Sequence, residues 1–121
     1  MTELDGFLAH VKAGGKVSFQ DSIAVVSAYY RYTPARFTNG EVVNEPGTNE
    51  GSCKLFYFAR LQELTQQQTL SLFGDYYWKE VLENPEGTNH ANIRSFMRHG
   101  WEGIAYEGEA LREIKVSQVA K

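Results

Sequence analysis

A Gly-Thr-Asn triplet occurs twice in this chain, at Gly47-Thr48-Asn49 and Gly87-Thr88-Asn89, and it places the tightest constraint on the fold. Shifting the sequence by 87 − 47 = 40 residues superposes Thr48 on Thr88, Asn49 on Asn89, Lys54 on Arg94 and Phe56 on Phe96. Asn44-Glu45-Pro46 and Asn84-Pro85-Glu86 precede the two copies with the same residue types. Glycine accepts the positive-φ position of a turn. Thr or Asn can then accept a hydrogen bond from the open N–H groups of the next helical turn, which is worth about 1 kcal/mol. The pattern predicts two helices that start alike, each anchored on the core by a phenylalanine. Capping is the commoner explanation of such a repeat. Were the two starts to converge, their positive dipole ends and free N–H groups would make an anion or carboxylate site. The residues available to line it are Thr48, Asn49, Glu50, Ser52, Thr88, Asn89, His90, Asn92 and Arg94.

The remaining punctuation predicts short helices. Leu4, Phe7, Leu8 and Val11 recur at helical spacing, with Thr2 placed to cap and Gly14-Gly15 to stop. Ser18, three residues before Asp21, opens a second helix marked by Phe19, Ile23, Val26 and Tyr30, and Thr33-Pro34 should end it. The segment through Leu55, Phe56, Phe58, Ala59 and Leu61 is apolar almost all round and reads as the central helix. Thr65 and Gln68 form a capping box, Gly74 marks a break, and Asp75 opens a helix running through Leu82 to Asn84-Pro85. Ile93, Phe96 and Met97 give a last helix, with Gly100 as its C-terminal cap.

Asn39-Gly40 is a two-residue turn signal between Phe37 and Val42-Val43, so a short hairpin is expected there. Ile104-Ala105-Tyr106 reads as a strand that could pair with it. The predicted class is mainly α with a minor β element: five to six short helices and one hairpin or two-stranded sheet. Residues 1–112 form the expected single domain, and 113–121 the expected flexible tail.

A chain of 121 residues supports one core. At 42% apolar and 13% aromatic it has the surface to build that core, which argues against disorder. A net charge of −3, with Lys and Arg scattered, offers no footprint for nucleic acid or for an anionic membrane. No apolar run approaches the length that spans a bilayer, and the first residues carry no signal-peptide core. The single Cys53 excludes an intrachain disulfide and suits folding in a reducing cytosol.

Few residues suggest chemistry. Cys53 falls near a predicted helix start, where the dipole could lower its pKa, with His90 or His99 as a conceivable base. Its apolar neighbours favour inert packing instead. His90 and His99 stand nine residues apart, half a turn out of phase, so one helix cannot bring them to a common metal. No metal-ligand spacing is present, and neither metal nor cofactor is expected. His90, Arg94 and Arg98 share a helix face, either as a solvated polar surface or as an anion-reading edge. Asp75-Tyr76-Tyr77-Trp78 and Tyr29-Tyr30 could stack on a sugar or base, although core packing is the commoner role. There is no phosphate loop, nucleophile elbow or zinc-protease motif, and the reading leans away from an enzyme.

Longer strings carry a resemblance. Val43-Asn44-Glu45-Pro46-Gly47-Thr48-Asn49-Glu50-Gly51-Ser52-Cys53-Lys54, Leu72-Phe73-Gly74-Asp75-Tyr76-Tyr77 and Pro85-Glu86-Gly87-Thr88-Asn89-His90-Ala91-Asn92-Ile93-Arg94 resemble the HopJ type III effector family. Phe96-Met97-Arg98-His99-Gly100-Trp101 and Tyr32-Thr33-Pro34, followed by Arg36-Phe37, fit it too. The resemblance covers residues 3 to 112. It implies an effector that works by binding a partner protein, made in the bacterial cytoplasm and open to type III export into a host cell. It brings no catalytic residues with it.

Overall fold

In the computed structural model, which describes residues 3–114, the chain runs α1 (Glu3–Lys12), α2 (Phe19–Tyr29), β1 (Tyr30–Tyr32), β2 (Phe37–Asn39) and β3 (Val42–Asn44). It continues with α3 (Glu50–Leu61), α4 (Gln66–Ser71), α5 (Asp75–Trp78) and α6 (Ala91–His99), then a 3-10 turn (Gly100–Gly103), β4 (Ile104–Tyr106) and β5 (Leu111–Glu113). The expected Thr2 cap and residues 115–121 of the expected tail lie outside the described residues.

Helix starts follow capping chemistry. The Ser18 hydroxyl accepts from the Asp21 N–H at the head of α2. Thr65 and Gln68 complete the capping box of α4, each side chain accepting from the other residue's N–H. Gly74, at φ 61, breaks the chain between α4 and α5. Helix α5 stops at Trp78 rather than running on through Leu82, and Val81 alone of the next few apolar residues returns to the core.

The β content exceeds the single hairpin expected. The predicted partner of the hairpin is in place: β2 is the middle strand of an antiparallel sheet, between β3 and β4. The hairpin turn is one residue later than the Asn-Gly signal suggests. Asn39 pairs with Val42, so Gly40-Glu41 makes the turn and Asn39 becomes a buried strand residue. A second sheet, β1 with β5, was not anticipated. It ends α2 at Tyr29, before Thr33-Pro34, and carries order beyond residue 112: Glu113 pairs with Tyr30, and the Ile114 N–H donates to the Tyr29 carbonyl.

Helix α3 is the central helix, burying Cys53 and every residue from Leu55 to Ala59. Phe56 lies with its ring centre 4.8 Å from Phe96, 5.3 Å from Phe73 and 6.2 Å from Phe37. The two phenylalanines of the repeat therefore meet each other in the core. This contact draws the beginnings of α3 and α6 to the same side of the molecule.

Candidate functional site: a cleft between two helix starts

The first copy of the repeat forms a closed turn. Gly47 takes φ 88, and the Thr48 N–H and hydroxyl both donate to the Glu45 carbonyl, at 3.0 and 2.7 Å. Asn49 follows in the left-handed region (φ 49, ψ 48) and precedes α3. The second copy is built differently. Gly87 donates to the Asn84 carbonyl without a positive φ, and His90, one residue beyond the triplet, takes the left-handed position (φ 54, ψ 53) before α6. The structural repeat is thus offset by 90 − 49 = 41 residues, one more than the string repeat. Asn and His are among the side chains that tolerate this region best.

The predicted capping does not occur. Neither Asn49 nor His90 gives a side-chain hydrogen bond to its helix. Asn49 instead donates Nδ2 to Asn44 Oδ1 at 2.7 Å. Asn44 belongs to a buried cluster of amides. Asn92 Nδ2 donates to Asn44 Oδ1 at 2.9 Å, while Nδ2 of Asn44 and of Asn39 donate to Asn92 Oδ1, each at 3.1 Å. Asn39 also donates to the Asn92 carbonyl, and the Ser95 hydroxyl donates to the Asn39 carbonyl. These amides bolt the hairpin to α6 and, through Asn49, to the head of α3. Asn39 Oδ1 alone of the cluster's side-chain atoms is buried without a partner among the described residues, and the bonds made by the other amide atoms specify one geometry.

With the two starts held together, their first turns face a cleft of 240 Å³. Gly51 and Ser52 of α3 and Ala91, Asn92 and Ile93 of α6 contribute to its lining, with Asn49 and His90 at the helix heads. Phe19, Phe73 and Tyr76 form the apolar wall. Gly51 is needed for this packing, because a Cβ there would stand 2.6 Å from the Phe19 ring. Tyr76 lies 5.1 Å from Phe19 and 5.1 Å from the His90 imidazole, ring centre to ring centre. His90 Nε2 pairs with Glu80 Oε1 at 2.6 Å, which fixes the ring against Tyr76. The same three aromatics continue into a second groove with Lys16, Ser18, Asp21 and Asp75 on its walls. Among the described residues His90 is the one titratable side chain besides the Tyr76 phenol in the first cleft, so its polarity comes mainly from oriented N–H groups.

The nine residues read from the sequence divide. Asn49, Ser52, His90 and Asn92 line the cleft. Thr48 is used up in its own turn, and Thr88 is exposed outside the cleft. The Glu50 carboxylate turns toward β1 and accepts from the Tyr32 hydroxyl at 3.1 Å. Asn89 and Arg94 engage each other: Arg94 Nε donates to the Asn89 carbonyl at 2.6 Å, and Nη2 to Asn89 Oδ1 at 2.8 Å. Arg94 Nη1 also donates to the Asn84 carbonyl, so a buried arginine, 9% exposed, gathers the loop before α6. Of the two alternatives for His90, Arg94 and Arg98, a shared edge does not form, because Arg94 turns to this loop and His90 pairs with Glu80. Lys54, aligned with Arg94 in the repeat, sits over the Tyr32 ring instead.

Sequence reasoning missed Phe19, Gly51, Phe73, Glu80 and the Asn39–Asn44 part of the amide cluster. Of the two aromatic strings weighed as stacking platforms, only Tyr76 reaches the cleft. Tyr30 is core, edge-on to Phe58.

The Cys53 alternative is also corrected. Its thiol is 1% exposed and faces the Ala35 carbonyl, and burial pushes its pKa up, opposite to the effect of a helix dipole. Tyr106 covers it, donating to the Cys53 carbonyl at 2.7 Å, and burial raises that phenol too. Ser52 shares the cleft with His90, but among the described residues no hydrogen bond joins them, and His90 Nε2 is taken by Glu80. Among the described residues no group of three His, Cys, Asp or Glu is arranged to hold a metal ion, and no helix is long and apolar enough to cross a membrane.

The fold and cleft define a small α-helical domain with two short sheets and, among the described residues, no assembled nucleophile–base pair. The chain belongs to the HopJ type III effector protein family, whose model matches residues 4–111. It is similar to the crystal structure of the protein of unknown function VPA0580, at 43% identity and a TM-score of 0.91, over 93% of this chain and 95% of that one. No curated protein matches it.

Proposed function

We propose that this HopJ-family chain acts by binding rather than by chemistry, with the α3–α6 cleft as its recognition element. The ligand carries a carboxylate or phosphate on an apolar or aromatic body. One observation carries the reading: two uncapped helix starts open into a single concave site. Each terminus contributes about 0.3–1 kcal/mol to an anion, and up to about 2 when partly buried. Two such ends give at most about 4 kcal/mol, which corresponds to a dissociation constant near 1 mM. A bare anion therefore binds weakly, and burial against Phe19, Phe73 and Tyr76 supplies the remaining affinity.

The test is thermal stabilisation by a matched set of probes. Phenyl phosphate and benzoate raise Tm, benzylamine does not, and Ser52→Trp, which fills the cleft, abolishes the effect. Equal stabilisation by benzylamine, or stabilisation that survives Ser52→Trp, contradicts the proposal.

Family membership supports a second reading, in which the anionic group belongs to a protein met after type III export. A reporter fused to the first residues of the chain and retained in the producing cell argues against that export.

A further inference from the structure

Farther along α6 lies another concave surface, separate from the cleft and its adjoining groove, with a volume of 320 Å³. Val81, Leu82, Pro85 and Met97 supply its apolar lining. Leu82 is 41% exposed and Met97 36%, two of the four large apolar side chains left open on the described surface. Single exposed apolar residues are ordinary, whereas these two meet in one groove and form a small apolar patch there. The charged side chains lining the groove are Arg94 and Arg98, and both are cations.

Neither arginine is neutralised from within. Arg94 is held by main-chain carbonyls and Asn89 Oδ1 and meets no carboxylate among the described residues. Arg98 is exposed and makes no hydrogen bond or ion pair among the described residues. Glu80 is engaged by His90, while Glu83 and Glu86 do not line the groove. Met and Arg are also the residue types enriched at interface cores.

We propose that this groove docks a short segment of a partner protein that presents an apolar side chain next to an Asp or Glu. The apolar residue seats between Leu82 and Met97, and the carboxylate meets Arg98.

The test is a random peptide library selected against the full chain, followed by methyl chemical-shift mapping of the winners. The proposal expects enriched peptides that pair an apolar residue with a carboxylate and shift the Met97 methyl. It also expects Arg98→Glu to weaken them about tenfold or more and to select basic peptides instead. Arg98 is exposed, so the variant should fold, and an unchanged melting curve verifies it. Met97→Gln gives an independent loss. No enrichment, winners without acidic residues, or winners indifferent to both variants overturn the proposal. So does a concentration-dependent dimer dispersed by Met97→Glu, which assigns the groove to a second copy of this chain. Phenyl phosphate should leave the Met97 methyl unmoved, so this test and the cleft test fail independently.

Discussion

Replacing Asn92 with Asp exchanges one NH2 for one oxygen at nearly constant shape, inside the cluster that holds the two helix starts together. The substitution removes the 2.9 Å bond from Asn92 Nδ2 to Asn44 Oδ1, worth about 1 kcal/mol, and leaves two acceptors facing each other. It also places a carboxylate at a position 6% exposed, where the effective desolvation penalty is about several kcal/mol. Two effects oppose this. Position 92 is the second residue of α6, so the dipole returns about 0.3–1 kcal/mol. The bonds accepted from Asn39 and Asn44 also strengthen when the acceptor is charged. No Lys or Arg joins the cluster, so burial wins, and a net loss of about 3 kcal/mol follows at neutral pH. For a domain whose whole stability is about 5–15 kcal/mol, that is a large share. With a slope of about 1.5 kcal/mol per molar urea, the midpoint falls by about 2 M. The introduced carboxyl has a folded pKa above its unfolded value of about 3.9. Its penalty is therefore complete above the folded pKa and fades as pH falls toward about 4. Urea titrations followed by circular dichroism from neutral to acidic pH read both features. A variant within about 0.5 kcal/mol of the native chain at pH 7, or a deficit that widens on acidification, refutes the reasoning.

Arg94→Met keeps the buried stem but removes the donors to Asn84 and Asn89, at an expected cost of about 2–3 kcal/mol. Hydrogen exchange should accelerate through residues 80–90 while α3 stays protected, and a uniform acceleration would contradict the local role. Gly74→Ala forces a side chain into φ 61 and puts its Cβ 2.7 Å from the Phe19 backbone nitrogen, so a loss above about 2 kcal/mol is expected in thermal unfolding. An unchanged Tm counts against that packing. Burial raises the Cys53 thiol and the Tyr106 phenol, so the native state holds protons that the unfolded chain releases. Stability is complete below the unfolded thiol pKa of about 8.5 and declines as pH rises above it, more steeply beyond about 10 where tyrosine joins. In Cys53→Ala the onset of that decline should move from the first value to the second, and an unmoved onset removes the thiol from the account.

Local punctuation was the most legible part of the chain. Ser18, the Thr65–Gln68 box, Gly74 and Gly100 each act over one helical turn, so their meaning does not wait on the fold. The apolar stretch around Phe56 announced the central helix for the same reason: no other environment suits a helix apolar on nearly every side. Long-range relations were harder to read. The β1–β5 pair joins Tyr30 to Glu113 across most of the chain, and three-residue strands carry almost no periodic signal. The repeated triplet showed that the two helix starts were related but misled about how. Its side chains were expected to cap, yet Asn49 bonds Asn44 and Asn89 bonds Arg94, because buried amide and guanidinium groups need partners more urgently than first-turn N–H groups facing a cleft. Phe19 and Tyr76 became part of the site only through packing. Gly51 hinted at a close approach without naming the ring that approaches.

The most direct measurement of the central claim is a backbone amide NMR titration of the full chain with phenyl phosphate, using benzylamine as the control. The account predicts saturable shifts concentrated at Gly51, Ser52, Asn92 and Ile93, together with ring-current changes at Tyr76 and His90, and none of these with benzylamine. Shifts confined to surface lysines and arginines, or first-turn amides of α3 and α6 that stay unmoved at saturating phenyl phosphate, would contradict it.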